Sequence, residues 1–221
     1  MNRTTPEFSA VLFDMDGVIF DTEKVVIETW QQVARVHDIP DIEKTLRNCL
    51  GVNPTATRQI FLERYGADFP YDQYKAEMRD LFFGPYYEKC LTLKKGVREI
   101  LTALQERRIP VALATSSPEA SVQKELADAG IRQYFDCVIC GDMVTRSKPD
   151  PEIFLKACQS LGVEPTEAVV IEDSYNGIRA AYAGGMMPVM VPDLLPPTEE
   201  IQQMTVKVCE SLLEVKTWLG L

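Results

Sequence analysis

The run Ala10-Val11-Leu12-Phe13-Asp14-Met15-Asp16-Gly17-Val18 is an apolar segment that ends in two carboxylates and a glycine. Two anionic side chains this close repel each other unless a cation or a shared proton intervenes. One arrangement that exploits the conflict sets a nucleophilic carboxylate beside a second carboxylate that moves protons, both held by a divalent metal. Gly17 lets the chain turn tightly with its backbone amides exposed to an anion. Pairs of this kind also occur in solvated turns, so the run alone leaves both readings open.

Three more groups of suitable chemistry follow, each placed after a strand-like run. Thr115 comes after Val111-Ala112-Leu113-Ala114, Lys148 lies in Ser147-Lys148-Pro149-Asp150, and Glu172-Asp173 follow Ala168-Val169-Val170-Ile171. Singly, each has a plain structural reading: a helix cap for Thr115, a surface loop for Lys148, a helix amino terminus stabilised by Glu172 and Asp173. Together they carry four negative charges, on Asp14, Asp16, Glu172 and Asp173, against one positive charge on Lys148. That imbalance cannot be buried without a divalent cation. Oxygen ligands with no nearby histidine or thiolate favour Mg²⁺, a hard ion that also binds phosphate.

The elements that must position these groups are legible from apolar patterning. Four apolar residues in a row read as a strand buried on both faces, and such runs recur at 10–13, 111–114, 137–140, 168–171 and 188–191. Helical patterns separate the last four. Ser117-Pro118-Glu119 opens the first with Ser117 as N-cap, and Gly130 ends it. Asp150-Pro151-Glu152 opens the next with Asp150 as N-cap, and a third follows Ser174. This alternation predicts a doubly wound, Rossmann-like α/β core with a parallel sheet, whose carboxyl edge would collect the polar groups.

The residues Asp14-Met15-Asp16-Gly17-Val18-Ile19-Phe20-Asp21-Thr22-Glu23, Thr115, Lys148-Pro149-Asp150-Pro151-Glu152-Ile153-Phe154 and Ile171-Glu172-Asp173-Ser174 stand in the order of four motifs. In these the chain resembles the haloacid dehalogenase-like hydrolase superfamily, and within it the β-phosphoglucomutase-like branch with a helical cap. The resemblance spans essentially the whole chain. It implies a Mg²⁺-dependent phosphatase acting on a small phosphorylated metabolite, a sugar phosphate being one possibility, through an aspartyl-phosphate. Asp14 would be the nucleophile and Asp16 the general acid and base. The metal would be held by Asp14, the backbone carbonyl of Asp16 and Asp173, with Glu172 a direct or water-mediated ligand. Thr115 and Lys148 would hold the phosphoryl group, and backbone amides at Gly17 and Ser116 would complete its cradle. A phosphoglucomutase is the alternative. The histidine and arginine that its cap uses fall here on Val26 and on Pro54 of Gly51-Val52-Asn53-Pro54, a loop from which Gly51 and Asn53 are expected to reach substrate. Arg58 and Arg79 are the available substitutes. A receiver-type phosphoacceptor domain uses similar groups, but with its acidic pair first in the chain and no large insertion.

Almost a hundred residues separate Asp16 from Val111, whereas a crossover needs only a dozen or more. Helical patterns at 22–36, 42–50, 54–65 and 71–89 make this an inserted bundle, its core including Phe82, Phe83, Tyr86 and Tyr87. The expected division is 1–21 and 92–221 for the core and 22–91 for the insertion, which the resemblance makes a cap over the catalytic face. Residues 96–107 return to the core as a helix, and 208–219 form an amphipathic helix docked on it. With 221 residues, a net charge of −10 and a pI near 4.7, the chain is unsuited to nucleic-acid phosphates or anionic lipid. A monomer in the cytoplasm is expected, since the amino terminus lacks an apolar leader and no run reaches membrane-spanning length. The CxxC at Cys137 and Cys140 lies in a strand and reads as buried small hydrophobes. His37, the one histidine, reads as a solvent-facing helix-end residue.

Overall fold

The computed structural model describes residues 6–49 and 54–221, so the substrate-loop residues Gly51 and Asn53 lie outside the described residues. Among the described residues, six parallel strands form one sheet in the order β3-β2-β1-β4-β5-β6. They are β1 (Ala10–Phe13), β2 (Val111–Ala114), β3 (Cys137–Ile139), β4 (Ala168–Glu172), β5 (Met187–Met190) and β6 (Lys207–Val208). Every residue of β1, β2 and β4 is buried, which is why these strands read as unbroken apolar runs rather than alternating ones. One face of the sheet packs Ala10, Leu12, Ala112, Ala114, Ala168 and Val170 against Ile153, Phe154 and Ala157 of the helix Glu152–Leu161. On the other side of the strand period, Phe13 meets Phe135 edge to face at 6.4 Å between ring centroids.

Register sets the site. Phe13 lies opposite Leu113 on one side and Ile171 on the other, so Asp14, Ala114 and Glu172 fall at one level. The order of strands reverses direction between β1 and β4, the switch point at which open α/β sheets form their ligand crevice.

The chain divides into two compact units, one of residues up to Phe20 and from Leu93 to Leu221, the other Asp21–Thr92. The inserted unit contains α1 (Thr22–Val36), α2 (Ile42–Cys49), α3 (Pro54–Tyr65), α4 (Tyr71–Phe83) and α5 (Tyr87–Cys90). Its centre is aromatic: Trp30 stands 4.8 Å from Phe61, and Phe61 4.9 Å from Tyr71. The single helix expected over 71–89 is broken at Gly84-Pro85, where proline removes a donor and clashes with the preceding turn. Phe82 accordingly joins the core while Phe83 is 41% exposed, outside the packing expected for it. His37 is not simply solvent-facing. Its Nε2 lies 2.6 Å from Glu77 Oε2 and its ring stacks on Tyr74 at 4.1 Å, tying α1 to α4.

In the larger unit, α6 (Val97–Glu106), α7 (Glu119–Asp128), α8 (Glu152–Leu161) and α9 (Tyr175–Ala183) flank the sheet. The tail docks on the core as expected, through α11 (Leu212–Trp218) packed on α6, but it is preceded by α10 (Glu199–Met204) and the short strand β6, which the sequence did not show. Ser174 caps α9 by accepting from Gly177 N at 3.1 Å, and Asp150 accepts from Glu152 N at 3.0 Å. Ser117 does not cap α7. Asp142 does, from the next connection, accepting from Glu119 N with both oxygens at 3.2 Å. The six cysteines are free thiols. Among the described residues no helix is long and apolar enough to cross a membrane.

Glu125 on α7 is 4% exposed. Burial first, then the negative charge of Asp16, raises its carboxyl from the ordinary 4.5 to about 7, with Lys124 opposing. Between those two values the unfolded chain has released the proton while the fold retains it, so stability falls as pH rises through that window. Glu125→Gln removes the penalty. It should melt like the wild type at pH 4 and higher at pH 8, by on the order of 1–2 kcal/mol or a few degrees. Parallel melting curves with equal offsets at both pH values would contradict this.

Candidate active site

Asp14 is the first residue beyond β1, fixed by its own N–H donating to Ile171 O at 3.0 Å. Its carboxylate is buried, and Oδ1 accepts from Lys148 Nζ at 2.6 Å. The same ammonium donates to Glu172 Oε1 at 2.7 Å and to Ala114 O at 3.1 Å. Three protons thus meet three acceptors, one from the end of each central strand. Nζ also lies 4.8 Å from the centroid of the Phe154 ring. Burial works to lower the Lys148 pKa, but Asp14 and Glu172 outweigh it and hold the ammonium above its ordinary range. Burial raises Asp14, with Glu172 and Asp16 adding to the rise and Lys148 only partly offsetting it.

The loop that delivers Lys148 is clamped by a residue whose role the sequence did not reveal. Glu152 accepts from Thr145 N and Arg146 N, each at 2.9 Å, and from Lys156 across one helical turn at 2.8 Å. The hydrogen bond from Lys156, then the two backbone donors, hold its carboxyl down at about 2.

Glu172 closes β4, and its Oε2 is saturated by Asp173 N at 3.0 Å, Ser174 N at 2.9 Å and Ser174 Oγ at 2.9 Å. Carboxylate oxygens of Asp14, Glu172 and Asp173 lie within 4.8 Å of one another, all buried. Backbone presses against this acidic pair closely enough to exclude any side chain. A Cβ on Gly17, whose φ is +77°, would collide with Asp173 Oδ2, and one on Gly177 would collide with the Glu172 carboxylate. The all-oxygen donor set, its net charge with Lys148 included, and the cradle around Asp173 fit a hard divalent cation.

Asp16 sits in the turn that follows, where Gly17 N donates to Phe20 O at 2.9 Å. Its Oδ2 accepts from Ser117 Oγ at 2.9 Å. Ser117, read from sequence as a helix cap, is therefore a partner of the second aspartate. Pro118 has extended backbone at the cap position of α7, so the serine one residue earlier is too far back to serve the helix. Thr115 is buried, anchored through its N–H to Ile139 O at 3.0 Å, and its Oγ1 accepts from Ser117 N at 3.1 Å. The Thr115 hydroxyl proton remains for another acceptor. Ser116 beside it is exposed. The structure thus gathers Asp14, Lys148, Glu172, Asp173 and Gly17 at the β1/β4 crevice and links Asp16 to the β2 loop through Ser117. Asp21 belongs to the inserted unit, where its Oδ2 accepts from Lys24 at 2.8 Å.

Residues 11–191 match the haloacid dehalogenase-like hydrolase family. The chain belongs to that family. Among relatives of known activity, it is 36% identical to a phosphorylated carbohydrates phosphatase of Thermotoga maritima, over 80% of this chain and 82% of the relative. It is 33% identical to a fructose-1-phosphate phosphatase of Escherichia coli, over 83% and 96%. Among solved structures, a candidate β-phosphoglucomutase of Thermotoga maritima superposes with a TM-score of 0.78 at 32% identity, covering 96% of this chain and 98% of the other. The phosphate complex of CbbY from Rhodobacter sphaeroides gives 0.77 at 26% identity, covering 97% and 100%.

Among the described residues, the Lys148 ammonium is the cation between Asp14 and Glu172. Lys148→Met should leave two buried carboxylates facing each other and cost about 3–5 kcal/mol of stability. Urea denaturation in excess chelator measures this, and a loss under about 1 kcal/mol would show that the pair tolerates its own repulsion.

Proposed function

We propose that this hydrolase is a Mg²⁺-dependent phosphatase that removes phosphate from a small phosphorylated carbohydrate through an aspartyl-phosphate on Asp14. The observation that carries the reading is the Lys148 ammonium held between Asp14 and Glu172 at the switch point, with Asp173 within 4.8 Å of both carboxylates. Phosphoryl transfer is mostly a matter of position and charge, and each residue here has such a task.

Asp14 Oδ2 is the oxygen not bonded to Lys148, and it would attack phosphorus as the ester bond to the leaving oxygen breaks. Lys148 and the hydroxyl proton of Thr115 would take up charge on the phosphoryl oxygens, joined by the amide of Ser116 and by those between Asp14 and Gly17; Gly17's own N–H, expected from sequence to join them, is committed to Phe20 O and only shapes the turn. Asp16 would give its proton to the departing alkoxide, then receive one from water as water attacks phosphorus and the bond to Asp14 breaks, freeing the Asp14 carboxylate and inorganic phosphate. Ser117 fixes the Asp16 carboxylate for this by donating to Oδ2. Asp14 and Asp173 would hold the ion together with the backbone carbonyl of Asp16. Glu172, with Oε2 saturated and Oε1 shared with Lys148, would act chiefly by holding Lys148 and the Asp173 backbone. When bound, Mg²⁺ supplies the positive charge that three carboxylates and one ammonium lack, and offsets the rise in Asp14. The inserted unit would serve as a cap that selects the substrate.

The likeness to a candidate β-phosphoglucomutase favours a second reading, in which the phosphoryl group returns to a sugar hydroxyl. Two features of this chain weigh against it. Val26 packs on the apolar cluster of the inserted unit, and Arg58 is paired with Asp72 at 3.1 Å.

Phosphate release from fructose 1-phosphate or a similar ester should require Mg²⁺, stop in excess chelator and be lost in Asp14→Asn. Asp16→Ala should slow release by roughly 10²–10⁴-fold. Activity of either variant near that of the wild type would remove the assigned roles. With β-glucose 1-phosphate and a trace of glucose 1,6-bisphosphate, free phosphate should accumulate. Rapid formation of glucose 6-phosphate with little free phosphate would establish the mutase instead.

A further inference from the structure

One carboxylate outside the four motif positions shares this edge of the sheet. Val191 N donates to Glu172 O at 2.8 Å, extending the β4–β5 ladder by one rung. Pro192 then has no donor to continue it, and the chain turns. Asp193, the next residue, is carried back over the end of β4. Its side chain is only 6% exposed, and Oδ1 accepts from Lys94 Nζ at 2.5 Å. Its Oδ2 is buried with no hydrogen-bond partner among the described residues. A carboxylate oxygen of Asp193 lies within 4.8 Å of one on Asp173.

Lys94 answers one oxygen of Asp193 and leaves the other bare. A buried charged acceptor without a donor is costly, and the approach of Asp173, itself an anion, adds repulsion. An ion-pair clasp between the returning linker and the β5 loop would explain the bond to Oδ1. It explains neither the bare Oδ2 nor the position beside Asp173. Both follow if Oδ2 faces a strong donor that arrives with a cation. Mg²⁺ gives up its water reluctantly and is usually held by one or two carboxylates, leaving several waters as polarised donors. Asp14 and Asp173 already fill the carboxylate quota. Acceptors just outside a metal's ligands orient those ligands and waters and strengthen the binding.

We propose that Asp193 is a positioning residue of the metal site, its Oδ2 accepting from water of the cation's hydration shell beside Asp173. The proposal rests on the metal reading of Asp14 and Asp173 given above. Lys94 holds Asp193 in place and neutralises part of its charge, so that the edge tolerates a further carboxylate before the ion binds.

Titration of the chelator-treated full chain with Mn²⁺ alone, followed by calorimetry, tests this without reference to turnover. Asp193→Asn should weaken Mn²⁺ binding about 10–100-fold. Because that variant takes a charged acceptor from Lys94, the neutral pair D193N/K94Q is measured as well and should show the same loss while melting close to the wild type. K94Q alone keeps the carboxylate and should bind Mn²⁺ within about threefold of the wild type. Wild-type Mn²⁺ affinity in D193N/K94Q, or a loss in K94Q equal to that in D193N, would overturn the proposal and leave a structural clasp. D173N separates the two levels of inference. If it loses Mn²⁺ binding while D193N does not, only the role of Asp193 falls; if it binds like the wild type, the metal reading falls and takes this proposal with it.

Discussion

At the buried edge between β1 and β4, three carboxylates face a single ammonium, and the surrounding structure is arranged around that deficit. Lys148 spends all three of its protons there, on Asp14, Glu172 and Ala114 O. A lysine with three fixed acceptors has no freedom to follow an exposed loop, so the loop must be built to deliver it. Glu152 does this by binding two loop amides from the first turn of α8. Glu172 in turn is held from behind by Asp173 N, Ser174 N and Ser174 Oγ. The same serine caps α9 through Gly177 N. One helix start therefore fixes the carboxylate, and another fixes its counterion. The deficit that remains after Lys148 is the physical reason for expecting a divalent cation.

The strand and helix pattern of the core was legible because both of its signals are local. Fully buried parallel strands need unbroken apolar runs, and 10–13, 111–114 and 168–171 supply them. Asp14, Thr115 and the Glu172-Asp173 pair could be found because each stands where such a run ends, and Lys148 because it stands between them in the order of a known family. Where the sequence misled, the partner came from far along the chain. Ser117-Pro118-Glu119 has the composition of a helix start, yet the cap of α7 is Asp142, and Ser117 instead bonds an aspartate 101 residues away. Asp193 beside Asp173 was invisible for the same reason, whereas Glu152 clamps two amides of the loop just before it, a bond that no residue pattern announces. The two-residue strand β6 is too short to carry a period, and it owes its form to pairing with β5. Gly84-Pro85 was a local signal that the aromatic pattern on either side obscured.

The two aspartates of the first motif are held by different kinds of structure. Asp14 continues a strand that is bonded on both sides, and its amide is part of the β1–β4 ladder. Its carboxylate direction is fixed by the pleat and by Lys148. Asp16 belongs to a turn, where Gly17 adopts φ +77° and Gly17 N closes on Phe20 O. The Asp16 carboxylate is held by the Ser117 hydroxyl, which comes from the loop after β2. A nucleophile must approach phosphorus along one line and gains from rigidity. In the proposed reaction Asp16 carries a proton to a leaving alkoxide first and from an attacking water second, so a hydrogen bond from a neighbouring loop suits it better than a place in the ladder. The spacing of the pair follows from this division: two residues are the least that puts one carboxylate on the strand and the next beyond it, with a glycine free to turn the chain between Asp16 and the inserted unit.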